Sequence, residues 1–293
     1  MPRLKLIKEL IFDGRGEPPP PRQKPDPSHW SDDEITGSCL GHSTVLLNFF
    51  GVRVLTDPVF SKRAGPGIPP FILGPKRYLA PALTPREVPK PDVIVISHAH
   101  FDHFDVWSLR KFSRDTPVVT ARHTRDLLYC HGFRRVFEVD WGETLTIKTR
   151  LGQIKFTGLE VSHWGARMIK DEHRGYNAYL IERDGRGICF AGDTAFTRAF
   201  AQLGHAARRI DLMLMPIGAY DPWIHAHCSP EQAATMARDA GARHFVPIHH
   251  QTFKLSAESM DEPLARLRVA FADEPHRLLA THVGETFHVP LDD

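Results

Sequence analysis

The sequence predicts a layered α/β fold in a single domain, and three observations support this fold class. Short apolar segments typical of β-strands, such as DVIVIS and GICFAGD, alternate along the chain with segments typical of helices. A composition with 42% hydrophobic and 25% charged residues is that of an ordinary globular protein. A length of 293 residues is sufficient for one large domain with an extensive core.

The first 34 residues differ in composition from the rest. Residues 13–30 are polar and rich in proline, which favours an extended surface arm over a folded element. We expect residues 1–34 to form this arm and residues 35–293 to form the folded domain. Segment 43–58 then predicts two strands joined at residues 48–51 by a hairpin turn.

Residues 65–83 form a long loop rich in proline and glycine, with an apolar centre. A loop of this length inside a compact domain is usually functional or disordered. The apolar centre beside Lys76 and Arg77 predicts an apolar wall with a cationic rim, and ordinary packing against the domain is the alternative interpretation. The apolar side chains are those of Ile68, Phe71, Ile72 and Leu73.

Strands and helices alternate after this loop. The segments that predict strands are DVIVIS, PVVTA, RVFEV, IKFTGLEVS, AYLIER, GICFAGD, DLMLMPIG and HFVPIH. The segment SPEQAATMARDAG predicts a helix with Ser229 as N-cap, Gln232 completing a capping box and Gly241 at its end. A second helix is predicted over residues 194–204, with Gly204 at its end.

The charge balance and the cysteines limit the partners and the compartment. Lys and Arg total 37 against 35 for Asp and Glu, so the net charge of +2 gives no basis for a nucleic-acid partner. Four cysteines without a C-x-x-C pair are typical of reduced thiols in a cytoplasmic protein. The sequence has no run of about 18 apolar residues, and its first segment lacks the apolar core of a secretion signal. We therefore expect a cytoplasmic protein without a transmembrane segment.

The segment SHAHFDHFD, residues 97–105, places three histidines and two aspartates directly after the apolar run VIVI. A solvated, histidine-rich loop is one interpretation, and a metal site is the other, because imidazole and carboxylate bind zinc and similar ions. His98 and His100 are two residues apart, so in an extended segment their side chains project to the same side. Asp102 and His103 point elsewhere, towards a second ion. This order of ligand types predicts a two-metal centre.

Three further strand ends carry residues of the ligand type. GLEVSH ends at His163, GICFAGD at Asp193 and HFVPIH at His249. Each alone could be a hydrogen-bonded loop residue or a turn former, but polar residues that do chemistry gather beyond the carboxyl ends of strands. Together with the motif they give seven ligands, which we assign three to each ion and Asp193 to both, because a carboxylate can bridge two ions. The first set is His98, His100 and His163, and the second set is Asp102, His103 and His249.

With these ligands in the order His-x-His-x-Asp-His, His, Gly-Asp, His, the chain resembles proteins of the metallo-β-lactamase fold. The resemblance covers residues 38–262 and is closer still to the branch that contains N-acylphosphatidylethanolamine-hydrolysing phospholipase D, with ascorbate-6-phosphate lactonase more distant. The segments that carry it include GHSTVLL, LTDPVFSKRAGP, SHWGAR, LMPIGAYDPW and IHHQTF. It implies an αββα sandwich with both metals at one edge of the paired sheets, and it implies the same seven ligands.

The expected cofactor is a pair of divalent metal ions, with zinc as the expected metal, because the ligand sets leave an open position on each ion. Two such ions lower the pKa of a shared water from about 16 to near 7, which provides hydroxide at neutral pH. Asp102 and Asp193 would orient this nucleophile. His227 is the candidate proton donor to the leaving oxygen, with His225 second, and a loop histidine bonded to the backbone is the alternative.

The expected reaction is hydrolysis, and a phosphodiester with an apolar portion is the expected substrate. The N-terminus of the helix at Ser229 is expected to face the metals and to favour a phosphate there. A lactone or another carboxylic ester is the alternative substrate, and a non-catalytic metal-binding protein is less favoured because no ligand is missing. A redox di-iron enzyme would normally replace a ligand histidine by glutamate and add a flavin domain, and a nuclease is disfavoured by the balanced charge. The partner is thus a small molecule or a lipid, which is compatible with peripheral contact with a membrane.

Overall fold

We describe the protein from a computed structural model, which covers residues 16–168, 171–205 and 209–291. Within these residues the strands are β1 (Ile35–Gly41), β2 (Thr44–Phe49), β3 (Val52–Thr56), β4 (Gly67–Ile68), β5 (Phe71–Ile72), β6 (Val93–Ile96), β7 (Val118–Ala121), β8 (Val136–Val139), β9 (Thr144–Thr149), β10 (Gly152–Leu159), β11 (Ala178–Arg183), β12 (Arg186–Phe190), β13 (Leu212–Pro216), β14 (His244–Ile248) and β15 (Thr286–Val289). The α-helices are α1 (Val106–Leu109), α2 (Arg125–Tyr129), α3 (Ala201–His205), α4 (Pro230–Asp239) and α5 (Glu262–Ala270). Short 3-10 helices cover Pro27–His29 and Pro275–Arg277.

Two sheets contain most of the strands. The seven-stranded sheet has the order β15-β1-β2-β3-β6-β7-β8, antiparallel from β15 to β3 and parallel from β3 to β8. The six-stranded sheet has the order β14-β13-β12-β11-β10-β9, parallel from β14 to β12 and antiparallel from β12 to β9. β4 and β5 form a separate small hairpin.

The burial pattern of the strands explains why the sheets pack into a sandwich. Val93 and Val95 of β6 belong to the core cluster between the two sheets, whereas Ile94 and Ile96 belong to the cluster on the outer face of their sheet. A strand that is covered on both faces must be apolar throughout. The outer faces are covered by α1 and α2 on one side and by α4 and α5 on the other. The predicted αββα sandwich is therefore confirmed.

Most of the predicted elements are present. Every apolar segment that predicts a strand contains one, and the predicted hairpin turn joins β2 to β3. Helix α4 has Ser229 as N-cap with the capping box to Gln232 formed, and Gly241 follows its end with a φ of +70°. The sequence does not predict β1, β9, β15, α1, α2 or α5, because these elements lack a long apolar or amphipathic run.

Helix α3 is shorter than predicted. The sequence predicts a helix over residues 194–204, but α3 begins at Ala201 and ends at His205. Upstream of α3, Thr197 Oγ1 accepts a hydrogen bond from Ala199 N at 3.2 Å. Such a local side-chain bond competes with helical backbone bonds, which explains why the helix begins later.

The long loop contains the β4–β5 hairpin, and the apolar side chains of Ile68, Phe71 and Leu73 do not pack against the sandwich. The exposed fractions are 68% for Ile68, 83% for Phe71 and 63% for Leu73. Arg77, predicted on a cationic rim, is instead only 3% exposed and donates from Nε to Ser61 O at 2.8 Å. Its guanidinium therefore fixes the base of the loop, and the prediction that it lies on an exposed rim is wrong.

The proline-rich arm lies along the domain surface. Ala80 N donates to Pro19 O at 2.8 Å, and Lys24 Nζ donates to Glu87 Oε1 at 2.5 Å. Within residues 16–34 the regular structure is limited to the 3-10 helix Pro27–His29. Residues 1–15 lie outside the described residues, so the division at residue 34 stays a prediction.

The cysteines and the helix lengths relate to the predictions of reduced thiols and of a chain without a transmembrane segment. All four cysteines are free thiols, and Cys189 is fully buried in the core. Cys39 and Cys228 are also buried, and Cys130 is exposed. In the part of the chain that the structure describes, no helix is long and apolar enough to cross a membrane.

Candidate metal centre

The predicted ligands come from strand ends at one edge of the sandwich. His98 follows β6 of the seven-stranded sheet, and Asp193 and His249 follow β12 and β14 of the six-stranded sheet. His163 lies shortly beyond the end of β10. Because the carboxyl ends of these strands meet at the same edge, side chains that are remote in sequence converge there.

A glycine lets the two sheets approach each other at this edge. Gly192 precedes Asp193 and has a φ of +60°, in the left-handed region that favours glycine. A Cβ atom at Gly192 would lie 2.5 Å from Ser97 Cβ, so no side chain fits there. Because Ser97 directly precedes His98, the glycine allows Asp193 and His98 to lie in one centre.

The first predicted set of ligands forms a compact group. His98 Nε2 lies 2.8 Å from His100 Nδ1, which lies 3.2 Å from His163 Nε2. Nitrogens bound tetrahedrally to one zinc at about 2.0–2.1 Å would be about 3.3 Å apart. The observed spacing is close to that value, so these three rings can hold one ion.

The second predicted set is also brought together, and a further histidine joins it. Asp102 Oδ2 lies 3.8 Å from His103 Nε2 and 3.6 Å from His249 Nε2. His42 Nε2 is closer still, at 3.0 Å from the same oxygen. One ligand atom from each of the four residues lies within 4.8 Å of the others. His42 can therefore orient the Asp102 carboxylate or add a ligand to this group.

Asp193 lies between the two sets. Its Oδ2 is 3.1 Å from both His103 Nε2 and His249 Nε2. The same oxygen is 3.8 Å from His163 Nε2 and 4.0 Å from His98 Nε2. One carboxylate oxygen thus faces nitrogens of both sets, which is the position that a bridging ligand requires.

The donor atoms of the centre fit divalent cations. Asp193 Oδ1 is buried and has no hydrogen-bond partner among the described residues, and the buried His103 Nε2 and His249 Nε2 face the Asp193 carboxylate without a well-aligned hydrogen bond. Leaving a buried polar atom unsatisfied costs about 1–3 kcal/mol. Imidazole nitrogens and carboxylate oxygens are the donors that zinc and related ions bind. A bound cation would satisfy these atoms, so the residues present fit the metal that the sequence predicts.

Burial keeps the rings of the first set neutral. It lowers the pKa of His98 well below its usual value, and it lowers the pKa of His100 and of His163 to about 4. At pH 7 these three rings are neutral, and each keeps one nitrogen lone pair that can bind a cation. They are therefore ready to bind a cation without a change of protonation.

Carboxylates decide the protonation of the second set. Burial opposes the charged form of His103 and His249, but Asp193 and Asp102 outweigh it. They raise the pKa of His249 to about 9 and hold that of His103 well above its ordinary value. Without a metal these rings are imidazolium ions paired with carboxylates, so a cation that binds here replaces their protons.

Hydrogen bonds from outside the centre orient its rings. His103 Nδ1 lies 2.6 Å from Asp57 Oδ2, and His163 Nδ1 donates to Ala226 O at 2.8 Å. Asp57 is fully buried and also accepts a hydrogen bond from Ser97 N at 2.7 Å. With one nitrogen of each ring engaged, the other is directed into the centre, and such partners strengthen metal binding.

An aromatic side chain that the sequence does not predict forms a wall of the centre. The ring of Trp164 lies 4.4 Å from that of His163 and 4.6 Å from that of His100, measured between centroids. Trp164 is 47% exposed, so one part of its ring covers the first set and another part faces solvent. The segment SHWGAR, which contains Trp164, was the only signal available in the sequence.

Arg167 contacts the backbone and an aromatic ring of the metal motif, residues 97–105. Its Nη1 donates to Ala99 O at 2.9 Å and to Phe104 O at 2.8 Å, and its guanidinium lies 3.9 Å from the centre of the Phe101 ring. These contacts fix the metal motif at Ala99, Phe101 and Phe104. Like His42 and Asp57, Arg167 lies in a segment that carries the family resemblance, but only the folded contacts reveal its role.

His227 joins the centre and His225 does not. His227 is 8% exposed, and its Nδ1 lies 3.8 Å from Asp193 Oδ2. Burial lowers the pKa of His227 to about 3, so its ring is neutral at pH 7. His225 is exposed and packs near Trp223. Of the two predicted proton donors, His227 is the one within reach of a group bound at the centre.

The cap of α4 engages donors that the predicted phosphate site would need. Ser229 N donates to Gln232 Oε1 at 3.0 Å, and Gln232 N donates to Ser229 Oγ at 3.3 Å. Pro230 has no N–H, and the Glu231 carboxylate accepts from Ser229 Oγ at 2.8 Å. Two N–H groups at this end are used by the cap itself, and Glu231 is paired with Arg266 Nη2 at 2.8 Å. The capping box would compete with an anion for these donors, and the phosphate site at α4 stays a prediction.

Comparisons with known proteins match most of the chain. A sequence profile of the beta-lactamase superfamily domain matches residues 52–250. The mitochondrial N-acyl-phosphatidylethanolamine-hydrolysing phospholipase D of Saccharomyces cerevisiae is 32% identical over 251 residues, which are 80% of this chain and 51% of that protein. The N-acyl-phosphatidylethanolamine-hydrolysing phospholipase D 1 of Caenorhabditis elegans is 30% identical over 252 residues, 81% of this chain and 70% of that protein. A metallo-hydrolase of Ignicoccus hospitalis shares the fold, with a TM-score of 0.63 at 20% identity over 88% of this chain and 99% of that chain.

Proposed function

The chain belongs to the family of the beta-lactamase superfamily domain and is a metal-dependent hydrolase, and we propose that it uses two divalent ions to hydrolyse a phosphodiester with an apolar portion. Zinc is the proposed metal. The observation that carries the two-ion proposal is the position of Asp193 Oδ2 between two groups of ligand atoms. The phosphodiester is supported by the two relatives named for phospholipase D activity.

Each side chain of the centre has a defined task in this proposal. When bound, two such cations lower the pKa of water and neutralise the negative charge that develops on the substrate. Asp102 and Asp193 hold a water in line for attack by accepting its hydrogen bonds, and they compensate the positive charge of the centre. The residues that would hold the first ion are His98, His100 and His163, those that would hold the second are Asp102, His103 and His249, and Asp193 would serve both.

We propose that His227 donates a ring N–H to the leaving oxygen. A neutral imidazole can stabilise a developing oxyanion in this way without being an imidazolium ion. We expect His227→Ala to lower kcat by roughly 10²–10⁴-fold with metal content unchanged. The defect should shrink on nitrophenyl esters of phosphate, because nitrophenolate leaves without a proton. Steady-state kinetics on paired good and poor leaving groups measure this difference.

The exposed His225 provides the matched control for this experiment. His225→Ala should keep wild-type kcat on both kinds of substrate, because its side chain lies in solvent. If His227→Ala loses metal, the residue is a ligand. If it loses the same factor on good and poor leaving groups, it does not assist the leaving oxygen.

A surface cavity offers space for the apolar portion of the substrate. It has a volume of about 660 Å³ and is lined by Trp164, Ala166, Arg167, Met168 and Glu172. It adjoins the centre through Trp164, whose ring packs on His163. Trp164 and Met168 are both exposed here, at 47% and 58%. Covering them with an acyl chain would remove apolar surface from water, which favours a substrate with a long apolar group.

Substrate class is tested by comparing three compounds at identical metal loading. We expect bis(4-nitrophenyl) phosphate and an N-acylated phosphatidylethanolamine to be hydrolysed with higher kcat/KM than a long-chain lactone. Trp164→Ala should raise KM for the lipid and leave the small diester nearly unchanged, because the small diester does not reach the cavity. Lactone turnover that exceeds both phosphodiesters by about a hundredfold would instead assign the centre to lactone or ester hydrolysis.

We also propose that the protein acts in the cytoplasm. Its four cysteines are free thiols, and thiols persist in a reducing compartment. Fractionation of the source cells, followed by detection of the protein, tests this location.

A further inference from the structure

The β4–β5 hairpin is an ordered element. Ile68 and Phe71 are paired across it, and Leu73 N donates to Pro66 O at 2.9 Å. Trp107 Nε1 donates to the Gly67 carbonyl at 3.1 Å and so connects the hairpin to α1. The hairpin is therefore held by hydrogen bonds, although its apolar side chains are not packed in the core.

The hairpin presents large apolar side chains to solvent. Ile68, Phe71 and Leu73 lie within six positions of one another, and each exposes more than half of its surface. Exposed apolar residues that are clustered on an ordered element mark an interaction site, because their contact with water is unfavourable. The hairpin is thus shaped to place these side chains in another apolar environment.

A basic groove lies beside the hairpin. It has a volume of about 1040 Å³, and Ile68, Ile72 and Trp107 contribute its apolar lining. Among its lining residues the charged ones are all basic, and no carboxylate is present. Lys62 forms an ion pair with Glu17 at 2.7 Å, whereas Arg110, Lys111 and Arg114 form no ion pair with a carboxylate of the described residues and leave positive charge in the groove. The basic residues of the groove are Lys62, Arg63, Lys76, Arg110, Lys111 and Arg114.

We propose that the hairpin side chains and the basic groove form a docking surface for membranes that contain anionic phospholipids. In such a membrane acyl chains lie directly beneath negatively charged phosphate groups, and the docking surface has the complementary arrangement. Trp107 contacts the hairpin and lines the groove, and tryptophan is a residue type that favours the boundary between apolar and aqueous phases. Each Lys or Arg near an anionic surface strengthens partitioning by about fivefold.

The docking surface lies next to the metal centre. A cavity of about 190 Å³ is lined on one side by Gly65 and Gly67 of the hairpin segment and on the other by Phe101 of the metal motif. Docking of the hairpin would therefore bring the centre to the membrane surface. This inference goes beyond the proposed hydrolysis, because membrane binding requires neither metal nor substrate.

Co-sedimentation of the full chain with large vesicles tests the docking surface. The vesicles contain phosphatidylcholine with about 30% phosphatidylglycerol, or phosphatidylcholine alone, and no substrate lipid. We expect binding to the anionic vesicles, with a marked loss at about 0.5 M salt, where charges are screened within a few ångströms. Phe71→Ser should lower the partition coefficient by about tenfold, and Lys111→Glu should lower it by about fivefold or more.

A matched control is available on a distant helix. Val269 of α5 is 76% exposed, so Val269→Ser removes an exposed apolar side chain without touching the hairpin, and it should bind vesicles like the wild type. Thermal unfolding of each variant verifies that the fold is kept. Equal binding by Phe71→Ser and the wild type, or no binding of the wild type to anionic vesicles, overturns the proposal.

One further outcome would assign the surface to a different partner. If light scattering shows a wild-type dimer that Phe71→Ser dissociates, and no vesicles are bound, the hairpin contacts a second copy of the chain and membrane docking is wrong. The assay is independent of turnover. A negative result therefore leaves the hydrolase proposal untouched, and a failure of hydrolysis leaves the binding result intact.

Discussion

Asp193→Ala is expected to weaken the binding of both metal ions and to abolish hydrolysis. One oxygen of Asp193 lies 3.1 Å from nitrogens of the second set and 3.8 Å from His163 of the first, so its loss weakens both. It also removes the negative charge that compensates two cations in a buried site. We expect kcat to fall by at least about 10³-fold, the scale on which loss of a main electrostatic contribution acts. Elemental analysis of the desalted variant, together with turnover, measures both effects.

An exposed aspartate supplies the comparison. Asp273 lies on the surface after α5, and Asp273→Ala should retain two ions and wild-type turnover. Asp193→Asn keeps the shape of the side chain and removes its charge, so it should fold normally and still bind metal weakly. Full metal content with substantial turnover in Asp193→Ala would show that this carboxylate does not bridge the ions.

His163→Ala and His249→Ala are each expected to leave one ion in place. His163 belongs to the group with His98 and His100, whereas His249 belongs to the group with Asp102 and His103. Wild-type protein loaded with metal should therefore contain close to two ions per chain, and each variant should contain close to one. Turnover should fall in both variants, because one cation cannot lower the pKa of water and neutralise the substrate charge as well as two.

The identity of the lost ion can be read without an activity assay. Competition with a chelator gives two dissociation constants for the wild type, and each variant should retain a different one of them. His276→Ala, which changes an exposed histidine, should retain both. A wild-type protein with a single ion, or the loss of both ions from either variant, would exclude two separate sites.

Local sequence patterns predict the elements whose structure depends only on residues within one strand or one helical turn. The run VIVI predicts a doubly buried strand because each residue is apolar, and Ser229 with Gln232 predicts the start of α4 because the cap is made within one turn. Other elements depend on neighbours. β1 contains glycines at positions where neighbouring strands and Phe287 approach closely, as at Gly37, where a Cβ atom would lie 2.5 Å from the Phe287 ring. No local pattern in β1 carries that information.

In the candidate site, too, some features are predicted by the sequence and others depend on the fold. The sequence determined by itself which residues are ligand types, since His98, His100, Asp102 and His103 stand in one motif and the remaining ligands stand at strand ends. Only the tertiary structure decided that His42 reaches Asp102, because the two lie 60 positions apart and meet through the packing of separate strands.

One wrong prediction shows what a local pattern leaves undecided. Arg77 has the right chemistry for an exposed cationic rim when viewed in the sequence alone. In the folded chain Arg77 is buried and donates to the backbone carbonyl of Ser61. The sequence by itself determined the fold class and the metal-binding chemistry, because strand patterns and ligand types are local properties. The tertiary structure decided which polar groups remain available, because a hydrogen bond between distant segments uses a donor that the sequence shows as free.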